Sequence, residues 1–472
     1  MADAARPSVA PDRYAPNGAP DTLFLHGESP EFPGPRGRGS SPSLPLEPFR
    51  SMSPVPEVVV TGIGVISPIG VGKEEVWSSL RERRSGIRHI PSIQGTPFPV
   101  SFGGAISESF DPKRWITPRK ALKVMSAEIQ AGVAAGNMAL EDSALDLAAI
   151  DHERFGVVYG SEMFYCHIPD VREVYTNSLV EGEFDYGLYA QRTMSDIEPL
   201  FMLKYLPNMP ACHVGIAHSA FGPNNTLVQG EASGLYALAE AAGVIERGHA
   251  DIMIVGGAGT RLNITPRLQR GDLYLSHRNG DPAEASRPFE LNRDGMVNGE
   301  GAAALVIESA EHARARGAKI LARLAGCGSS FGLVENGPRH TRAIATAIER
   351  ALAKAELTPA DVGHVNAHGL GTQTDDALEA AAIRQALGDT PVTAPKSFFG
   401  NLGAGGGLVE AVVSLLGLQH DEVPVTLNYE TPDPACPVNV VHQAPLKGRP
   451  RSAVLLNQST TGQSAAAVFV RD

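Results

Sequence analysis

A histidine in a glycine- and threonine-rich loop is the first residue whose setting suggests chemistry. His368 follows a short apolar segment, within the motif NAHGLGTQTDDALE over residues 366–379. A loop of this composition lets the backbone and a small ligand come close to the imidazole, as a proton-transfer or oxyanion-stabilising group requires. Taken alone, the pattern is equally typical of a histidine that makes only a structural hydrogen bond.

A second motif, KSFFGNLGAGGGLVE, covers residues 396–410. Lys396 and Glu410 are candidates for a buried ion pair beneath this loop, and Asn401 is predicted to be exposed at its turn. The glycines let the following helix start close to the site. A glycine-rich loop is weak evidence for phosphate binding, but its place shortly after His368 makes the two motifs specific as a pair.

The elements that must position these motifs alternate between strand and helix. The β-branched run at residues 57–67 predicts a central strand buried on both faces, in a parallel α/β sheet. Apolar residues recur at helical spacing later in the chain, and short apolar strands separate them. The predicted helices up to the middle of the chain cover residues 73–84, 120–140 and 230–248, and the strands cover 155–160 and 251–259.

The second half of the chain repeats this order. Its predicted strands cover residues 320–330, 363–369, 391–395, 452–458 and 464–470, and its predicted helices cover 342–355, 375–387 and 408–419. The two halves show no clear sequence repeat, but the shared order of elements predicts two similar α/β units. Their join is predicted near residues 308–319, in a short polar helix.

Composition excludes several classes of function. The formal net charge is −12 and no lysine or arginine run occurs, which argues against a nucleic-acid or anionic-membrane surface. No apolar stretch approaches about 18 residues and the start lacks signal-peptide features, so we expect a cytoplasmic protein. The four cysteines lack metal-ligand spacing, so we expect reduced, mostly buried thiols and neither a metal nor an organic cofactor. They are Cys166, Cys212, Cys327 and Cys436.

The first residues differ in character from the rest. Residues 1–56 are dense in proline, glycine and serine and carry few branched apolar side chains. Such a segment cannot offset its own ordering entropy, so we predict a disordered tail.

With both motifs in view, the sequence resembles the β-ketoacyl-acyl carrier protein synthases of the elongating type, in the thiolase superfamily. That family has HGTGT followed by D and E, then a lysine, glycines and a glutamate. The stretches VVVTGIGVISPIG, ADIMIVGGAG and SRPFELNRDGMVNGEGAAALVIE also match, so the resemblance covers nearly all of residues 57–472. The residues in the matching motif slots are His368, Gly369, Gly371, Thr372, Asp376, Glu379, Lys396, Gly400, Gly403 and Glu410.

The resemblance implies a five-layer α-β-α-β-α thiolase fold made of two similar halves, at residues 57–315 and 316–472. It also implies a dimer, formed either by two copies or with a ketosynthase homologue. The substrate would be an acyl or malonyl thioester on the phosphopantetheine arm of an acyl carrier protein, in fatty-acid or polyketide biosynthesis. Asp376, Glu379, Thr372 and Glu410 would support the reactive groups.

Three departures from the family pattern concern the reactive groups themselves. The family's nucleophilic cysteine is replaced by Glu231, in GPNNTLVQGEASG at residues 222–234, and none of the four cysteines aligns with that slot. Asn401 stands where the family has its second histidine, and Thr461, in NQSTTGQ, stands in the slot of the gatekeeping phenylalanine. The thiolate chemistry of the family is therefore not available in its usual form.

A carboxylate cannot replace the thiolate efficiently, because an acyl anhydride is far more reactive than a thioester and is lost to water. Decarboxylation needs only donors around the developing enolate oxygen, and His368 and Asn401 can supply them, with Lys396 behind. A dry pocket would leave Glu231 neutral and glutamine-like. An ionised Glu231 paired to His368 or Lys396 would repel a malonyl carboxylate and could activate water for hydrolysis.

A non-catalytic role is the main alternative. Chain-length-factor proteins resemble ketosynthases, lack the cysteine and pair with an active partner, and Glu231 fits that pattern equally. The retained Lys396 and Glu410 argue for a working site, but a buried ion pair can be retained for structure alone because breaking half of it is costly.

Overall fold

The computed structural model describes residues 55–162, 166–272, 274–333, 337–448 and 451–471. The predicted tail lies outside this part of the chain up to residue 54, so its disorder stays a prediction. The helices are α1 Lys73–Arg81, α2 Ala127–Ser143, α3 Ile168–Thr176, α4 Tyr186–Asp196, α5 Met209–His218, α6 Ser233–Glu246, α7 Ile264–Arg270, α8 Ala310–Ala315, α9 Gly337–Ala355, α10 Gln373–Leu387, α11 Lys396–Phe399 and α12 Gly406–His420.

The strands follow the same chain order. They are β1 Val58–Ser67, β2 Gly70–Val71, β3 Ile87–His89, β4 Phe102–Gly104, β5 Phe155–Gly160, β6 Leu179–Val180, β7 Glu183–Phe184, β8 Asn224–Leu227, β9 Ile252–Thr260, β10 Glu300–Ser309, β11 Ala322–Phe331, β12 His364–Asn366, β13 Pro391–Thr393, β14 Glu422–Val423, β15 Asn439–Val440, β16 Leu446–Lys447, β17 Ser452–Gln458 and β18 Gln463–Val470.

Two halves of the main sheet have the same strand pattern. In the first, the order is β8-β5-β9-β10-β1, and in the second it is β13-β12-β17-β18-β11, where the two-residue β15 pairs parallel with β13 at the outer edge. In each half the outer three strands are parallel and the inner two join antiparallel. A short antiparallel pairing of β1 with β11 joins the halves. The repeated order of elements in the sequence therefore corresponds to a repeated topology.

The direction of β1 differs from the prediction of a parallel sheet. β1 is fully buried, as its apolar run predicts, but it is antiparallel to both of its neighbours. A continuous apolar run indicates that a strand is buried on both faces. Here this burial arises because helices cover both sides of an antiparallel strand pair. The run therefore predicts burial correctly and direction incorrectly.

The helices form three layers around the two halves of the sheet, as a five-layer thiolase fold requires. Residues of α6 and α12 pack together between the halves, in the largest apolar cluster. The outer face of the first half packs against α2 and α5, and that of the second half against α9 and α10. No helix within the described ranges has the length and apolar character needed to cross a bilayer.

One buried histidine in this core takes no part in the motifs. His364 begins β12 and is fully buried, and neither ring nitrogen has a hydrogen-bond partner among the described residues. Burial lowers the pKa of His364 from 6.5 to about 4. The folded protein therefore holds a neutral imidazole that the unfolded chain would protonate at mildly acidic pH.

This imbalance predicts a pH-dependent loss of stability. Between its folded pKa of about 4 and its unfolded pKa of 6.5, His364 binds more protons in the unfolded chain, so the free energy of unfolding falls as the pH falls. We expect a loss of about 2 kcal/mol from this residue between about pH 7 and about pH 5. Urea unfolding at both pH values should show that His364→Leu removes most of this loss. His89→Leu, at an exposed histidine, should leave this loss unchanged. An equal pH dependence in the native protein and both variants would contradict the prediction.

Candidate active site

Glu231 lies in the turn that leads from β8 into α6. Gly230 has a φ of 60°, in the left-handed region that favours glycine, and the Ser233 hydroxyl accepts a hydrogen bond from the Gln229 backbone N–H at 2.8 Å. These two features fix the turn and direct Glu231 inward, where it is 2 % exposed. A short glycine turn before a helix thus places a carboxylate inside the protein.

The carboxylate of Glu231 is paired with an arginine. Its Oε1 accepts a hydrogen bond from the buried Arg261 guanidinium and a long one, at 3.4 Å, from Asn401 Nδ2. Burial alone would raise the pKa of Glu231, but the charge of Arg261, with smaller contributions that include Arg270 and Asn401, holds that pKa below its usual value. Glu231 is therefore an anion at neutral pH, which favours the ionised of the two states considered from sequence, with Arg261 as its counter-ion.

His368 follows β12 and is held through one ring nitrogen. Its Nδ1 lies 3.1 Å from Lys396 Nζ and 3.4 Å from Asn457 Nδ2. An ammonium group can only donate, so Nδ1 is the acceptor and the proton of the neutral ring resides on Nε2. Burial, then Lys396 and Arg261, hold the pKa of His368 well below its usual value, so the ring stays neutral. Its buried Nε2 has no hydrogen-bond partner among the described residues.

Lys396 and Glu410 form an ion pair behind His368. Both side chains are almost completely buried, and Glu410 Oε2 also accepts a hydrogen bond from Asn457 Nδ2 at 2.6 Å. Burial raises the pKa of Glu410 even though Lys396 opposes that shift. The ion pair therefore places the Lys396 ammonium group beside His368 Nδ1, and it does so by burying the carboxylate of Glu410.

Two further carboxylates hold the loop after His368. Glu379 accepts hydrogen bonds from the backbone N–H groups of His368 at 2.7 Å and Gly369 at 2.8 Å, and Asp376 accepts from Gly371 at 3.0 Å. Burial raises the pKa of Glu379 to about 7 and that of Asp376 to about 6. Both carboxyls lie on α10, whose N-cap is Thr372, so the helix start and the loop form one unit.

Asn401 is buried, which corrects the prediction that it is exposed at its turn. It is 1 % exposed, and its Oδ1 accepts the Gly403 backbone N–H at 3.0 Å, which turns Nδ2 toward Glu231. The glycine-rich composition suggested a surface turn. The glycines instead allow the backbone to pack closely inside the protein, as at Gly400 and Gly405.

Glu231 and Arg261 line a cavity of about 580 Å³. Thr372 and the exposed Thr461 belong to its walls, and the Thr461 hydroxyl donates to Gln463 Oε1 at 2.6 Å. The full set of wall residues is Val228, Gln229, Gly230, Glu231, Arg261, Arg270, Gly271, Tyr274, Met296, Leu370, Thr372, Asp375, Ser459, Thr460, Thr461 and Gln463.

The described wall residues do not include His368, Asn401 or Lys396, and of these three Asn401 is the one with hydrogen bonds to the walls. Asn401 Nδ2 contacts two wall residues, Glu231 at 3.4 Å and Met296 Sδ at 3.5 Å. Among the described residues no hydrogen bond joins Glu231 to His368, but the charge of Arg261 lowers the pKa of both. The sequence-predicted residues thus form two connected groups, one around Arg261 and one around Lys396.

Three of the four cysteines have environments unsuited to nucleophilic chemistry. All four are unpaired thiols, and burial raises the pKa of Cys327 and Cys436 to about 12 and also raises that of Cys166. A thiol with a raised pKa carries little thiolate at neutral pH.

Comparison with known protein families identifies the fold. The family model described as the β-ketoacyl synthase N-terminal domain matches residues 56–313, and that of the C-terminal domain matches residues 321–430. The chain belongs to the β-ketoacyl synthase family. Members of this family include 3-oxoacyl-[acyl-carrier-protein] synthases, which are transferases of fatty-acid and polyketide biosynthesis.

Similar curated proteins and solved structures agree with this assignment. The 3-oxoacyl-[acyl-carrier-protein] synthase 2 of Mycobacterium bovis is 36% identical over 88% of this chain and 97% of its own length. That of Vibrio harveyi is 34% identical over 87% and 98%. The ishigamide ketosynthase/chain length factor structure has a TM-score of 0.77 at 28% identity, over 88% of this chain and 99% of its own. A type II polyketide ketosynthase in complex with its acyl carrier protein has a TM-score of 0.73 at 28% identity, over 88% and 99%.

Arg261 and Asn457, like Arg270 in the cavity wall, are residues of this β-ketoacyl synthase site that the sequence analysis missed. Arg261 follows the end of β9, and Asn457 lies near the end of β17. A buried carboxylate at position 231 requires a counter-cation, which predicts an arginine or lysine nearby but not its position in the chain. Asn457 is the first residue of the NQSTTGQ segment, whose interpretation concerned only the gatekeeper slot at Thr461, and nothing in its local sequence points toward Glu410.

Proposed function

We propose that this chain decarboxylates malonyl groups carried as thioesters by an acyl carrier protein and does not condense them. The observation that carries the proposal is the neutral His368, whose buried Nε2–H has no partner among the described residues. A free donor of this kind is suited to an oxygen on which negative charge develops. Asn401 Nδ2, whose bond to Glu231 is long, supplies a second donor.

The state of Glu231 argues against an acyl-enzyme. Its carboxylate is ionised and bound by Arg261 and Asn401, so it is a poorer nucleophile than a free carboxylate. An anhydride formed there would be lost to water. Condensation through residue 231 is therefore disfavoured, and decarboxylation is the part of the family's chemistry that the remaining groups can support.

The proposed reaction breaks one carbon–carbon bond. As carbon dioxide leaves the malonyl group, the electron pair of that bond moves into the thioester to form an enolate, whose oxygen accepts hydrogen bonds from His368 Nε2 and Asn401 Nδ2. Water then protonates the carbon and leaves an acetyl carrier protein. Lys396 donates to Nδ1 throughout and keeps the proton of His368 on Nε2.

The anionic Glu231 would repel a malonyl carboxylate if it stood alone. Arg261 neutralises it within the buried site, and Arg270, which is itself paired with Glu162, has a side chain 38% exposed at the cavity wall. Substrate binding must also replace the long Asn401 contact to Glu231, which costs little because a hydrogen bond of 3.4 Å is weak.

The test is to incubate the purified protein with malonyl carrier protein and measure acetyl carrier protein by intact-mass analysis. We expect conversion by the native protein and a rate lower by about 10²-fold in Asn401→Ala, which removes one enolate donor. Thr226→Ala, which alters a polar residue outside the donor set, is the control and should keep the native rate. Absence of conversion by correctly folded native protein would overturn the proposal.

A second candidate is a non-catalytic subunit that pairs with an active ketosynthase. The contact that favours it is the Glu231–Arg261 ion pair, since the sequence resemblance implies that Glu231 stands in the slot of the family's thiol. The match to a ketosynthase/chain length factor structure is consistent with this role. Co-purification in equal amounts with a cysteine-bearing homologue, without acetyl carrier protein formation, would favour it over decarboxylation.

A further inference from the structure

Each of the two arginines in the walls of the Glu231 cavity is paired with a buried glutamate. Arg261 pairs with Glu231, and Arg270 Nη2 lies 3.3 Å from Glu162 Oε2. A long alkyl chain packed against these groups would strip water from charges without supplying hydrogen bonds, which is unfavourable. Apolar residues such as Leu370 and Met296 also line the cavity, so a long apolar acyl group is disfavoured specifically where it would pack against these two ion pairs.

The loop that carries Asn401 contacts the Glu162–Arg270 pair. Glu162 Oε1 accepts the Ala404 backbone N–H at 2.9 Å. Gly403 has a φ of 58°, and a Cβ placed on it would lie 1.5 Å from the same oxygen. Glu162 thus packs against a backbone position that only glycine permits, and moving it aside to admit a longer chain would break both the Ala404 hydrogen bond and the Arg270 contact.

Arg270 has donors available on the cavity side. Its side chain is 38% exposed and belongs to the cavity wall, and a guanidinium carries five N–H groups, more than the single Glu162 contact uses. Arginine binds carboxylates with two parallel hydrogen bonds where the geometry allows. A small anionic group that enters this cavity therefore meets a cation already held in place by Glu162.

We propose that Arg270 is a specificity-determining residue that binds the free carboxylate of a short dicarboxylic acyl group, while the two ion pairs exclude long alkyl chains. This inference rests on the proposed function, because it names the acyl class that the same site accepts. It goes beyond that function by assigning the selection to Arg270 and Glu162, neither of which contacts His368 in the structure.

The test measures binding without turnover. The probes are three pantetheine amides, in which an amide replaces the thioester: malonyl, 3-methylbutanoyl, which has the malonyl shape without charge, and dodecanoyl. We expect calorimetry on the native protein to give about 10- to 100-fold tighter binding of the malonyl probe than of the 3-methylbutanoyl probe. The dodecanoyl probe should bind no more tightly than the 3-methylbutanoyl probe.

Matched variants assign the preference to Arg270. In Arg270→Gln the malonyl probe should bind at most about threefold more tightly than the 3-methylbutanoyl probe. Arg270→Lys, which keeps a charge next to Glu162, should retain part of the native difference. Tightest binding of the dodecanoyl probe to the native protein would overturn the inference, and so would an unchanged malonyl preference in a folded Arg270→Gln. A malonyl preference without acetyl carrier protein formation would contradict the proposed function and leave this inference standing, whereas turnover without the preference would do the reverse.

Discussion

Lys396→Met is expected to lower the free energy of unfolding by about 3–5 kcal/mol near neutral pH, because it leaves the carboxylate of Glu410 buried without its cation. The penalty should shrink as the pH falls. Burial already raises the pKa of Glu410, and removal of Lys396 raises it further, so the variant loses stability as the pH rises through that pKa. Denaturant unfolding at several pH values measures both effects.

The matched control removes the charge of Glu410 as well. In Lys396→Met/Glu410→Gln the amide oxygen can still accept the Asn457 hydrogen bond, and no unpaired carboxylate remains. We expect this double variant to recover most of the lost stability. A double variant as unstable as Lys396→Met alone, or a penalty that does not change with pH, would show that the ion pair is not the source of the effect.

His368→Ala is expected to slow decarboxylation of malonyl carrier protein by about 10²- to 10³-fold, because it removes the Nε2–H donor from the enolate oxygen. The reason is geometric: Lys396 occupies Nδ1 at 3.1 Å, so only Nε2 can donate to a substrate. Rates at saturating substrate separate this effect from weaker binding, since a donor used only in the transition state changes kcat.

The control for this prediction is His364, a buried histidine in the strand that leads to His368. His364→Phe removes an imidazole four positions earlier that has no partner among the described residues and no role in the site. It should keep the native rate. Equal losses of rate in the two variants would mean that His368 acts through folding rather than through its hydrogen bond.

Sequence patterns were sufficient for most elements near the site. The spacing of apolar residues predicted α6 and α12, and both pack in the central layer. The predicted helix at 120–140 begins as an α-helix only at Ala127, where the Ser126 hydroxyl caps it by accepting the Ile129 N–H at 3.4 Å. Residues before that cap form a 3₁₀-helix, so a local capping residue overrides the wider periodicity.

What the sequence could not supply were contacts between distant segments. The ion pair of Glu231 joins the turn before α6 to the residue after β9, and that of Glu162 joins the segment after β5 to the last residue of α7. Each depends on how strands β5 and β9 lie side by side, which no local pattern encodes. The charge state of Glu231 was left open from sequence for the same reason, because its counter-ion was not identified.

The burial of Asn401 has the same cause. The Asn401 backbone N–H donates to Val297 O at 2.7 Å, and the Gly299 backbone N–H donates to Asn401 O at 2.9 Å, so the turn is covered by the segment before β10. A glycine-rich loop is usually at the surface, and only the fold shows that this one is enclosed.

The central claim is that decarboxylation here is uncoupled from condensation. The most direct test incubates the native protein with two carrier proteins, one loaded with an acyl group and one with isotopically labelled malonyl. The intact masses of both carrier proteins and of the chain are then recorded. We expect labelled acetyl carrier protein, an unmodified chain and no 3-oxoacyl product. A 3-oxoacyl product, an acylated chain or unchanged malonyl carrier protein would contradict this claim.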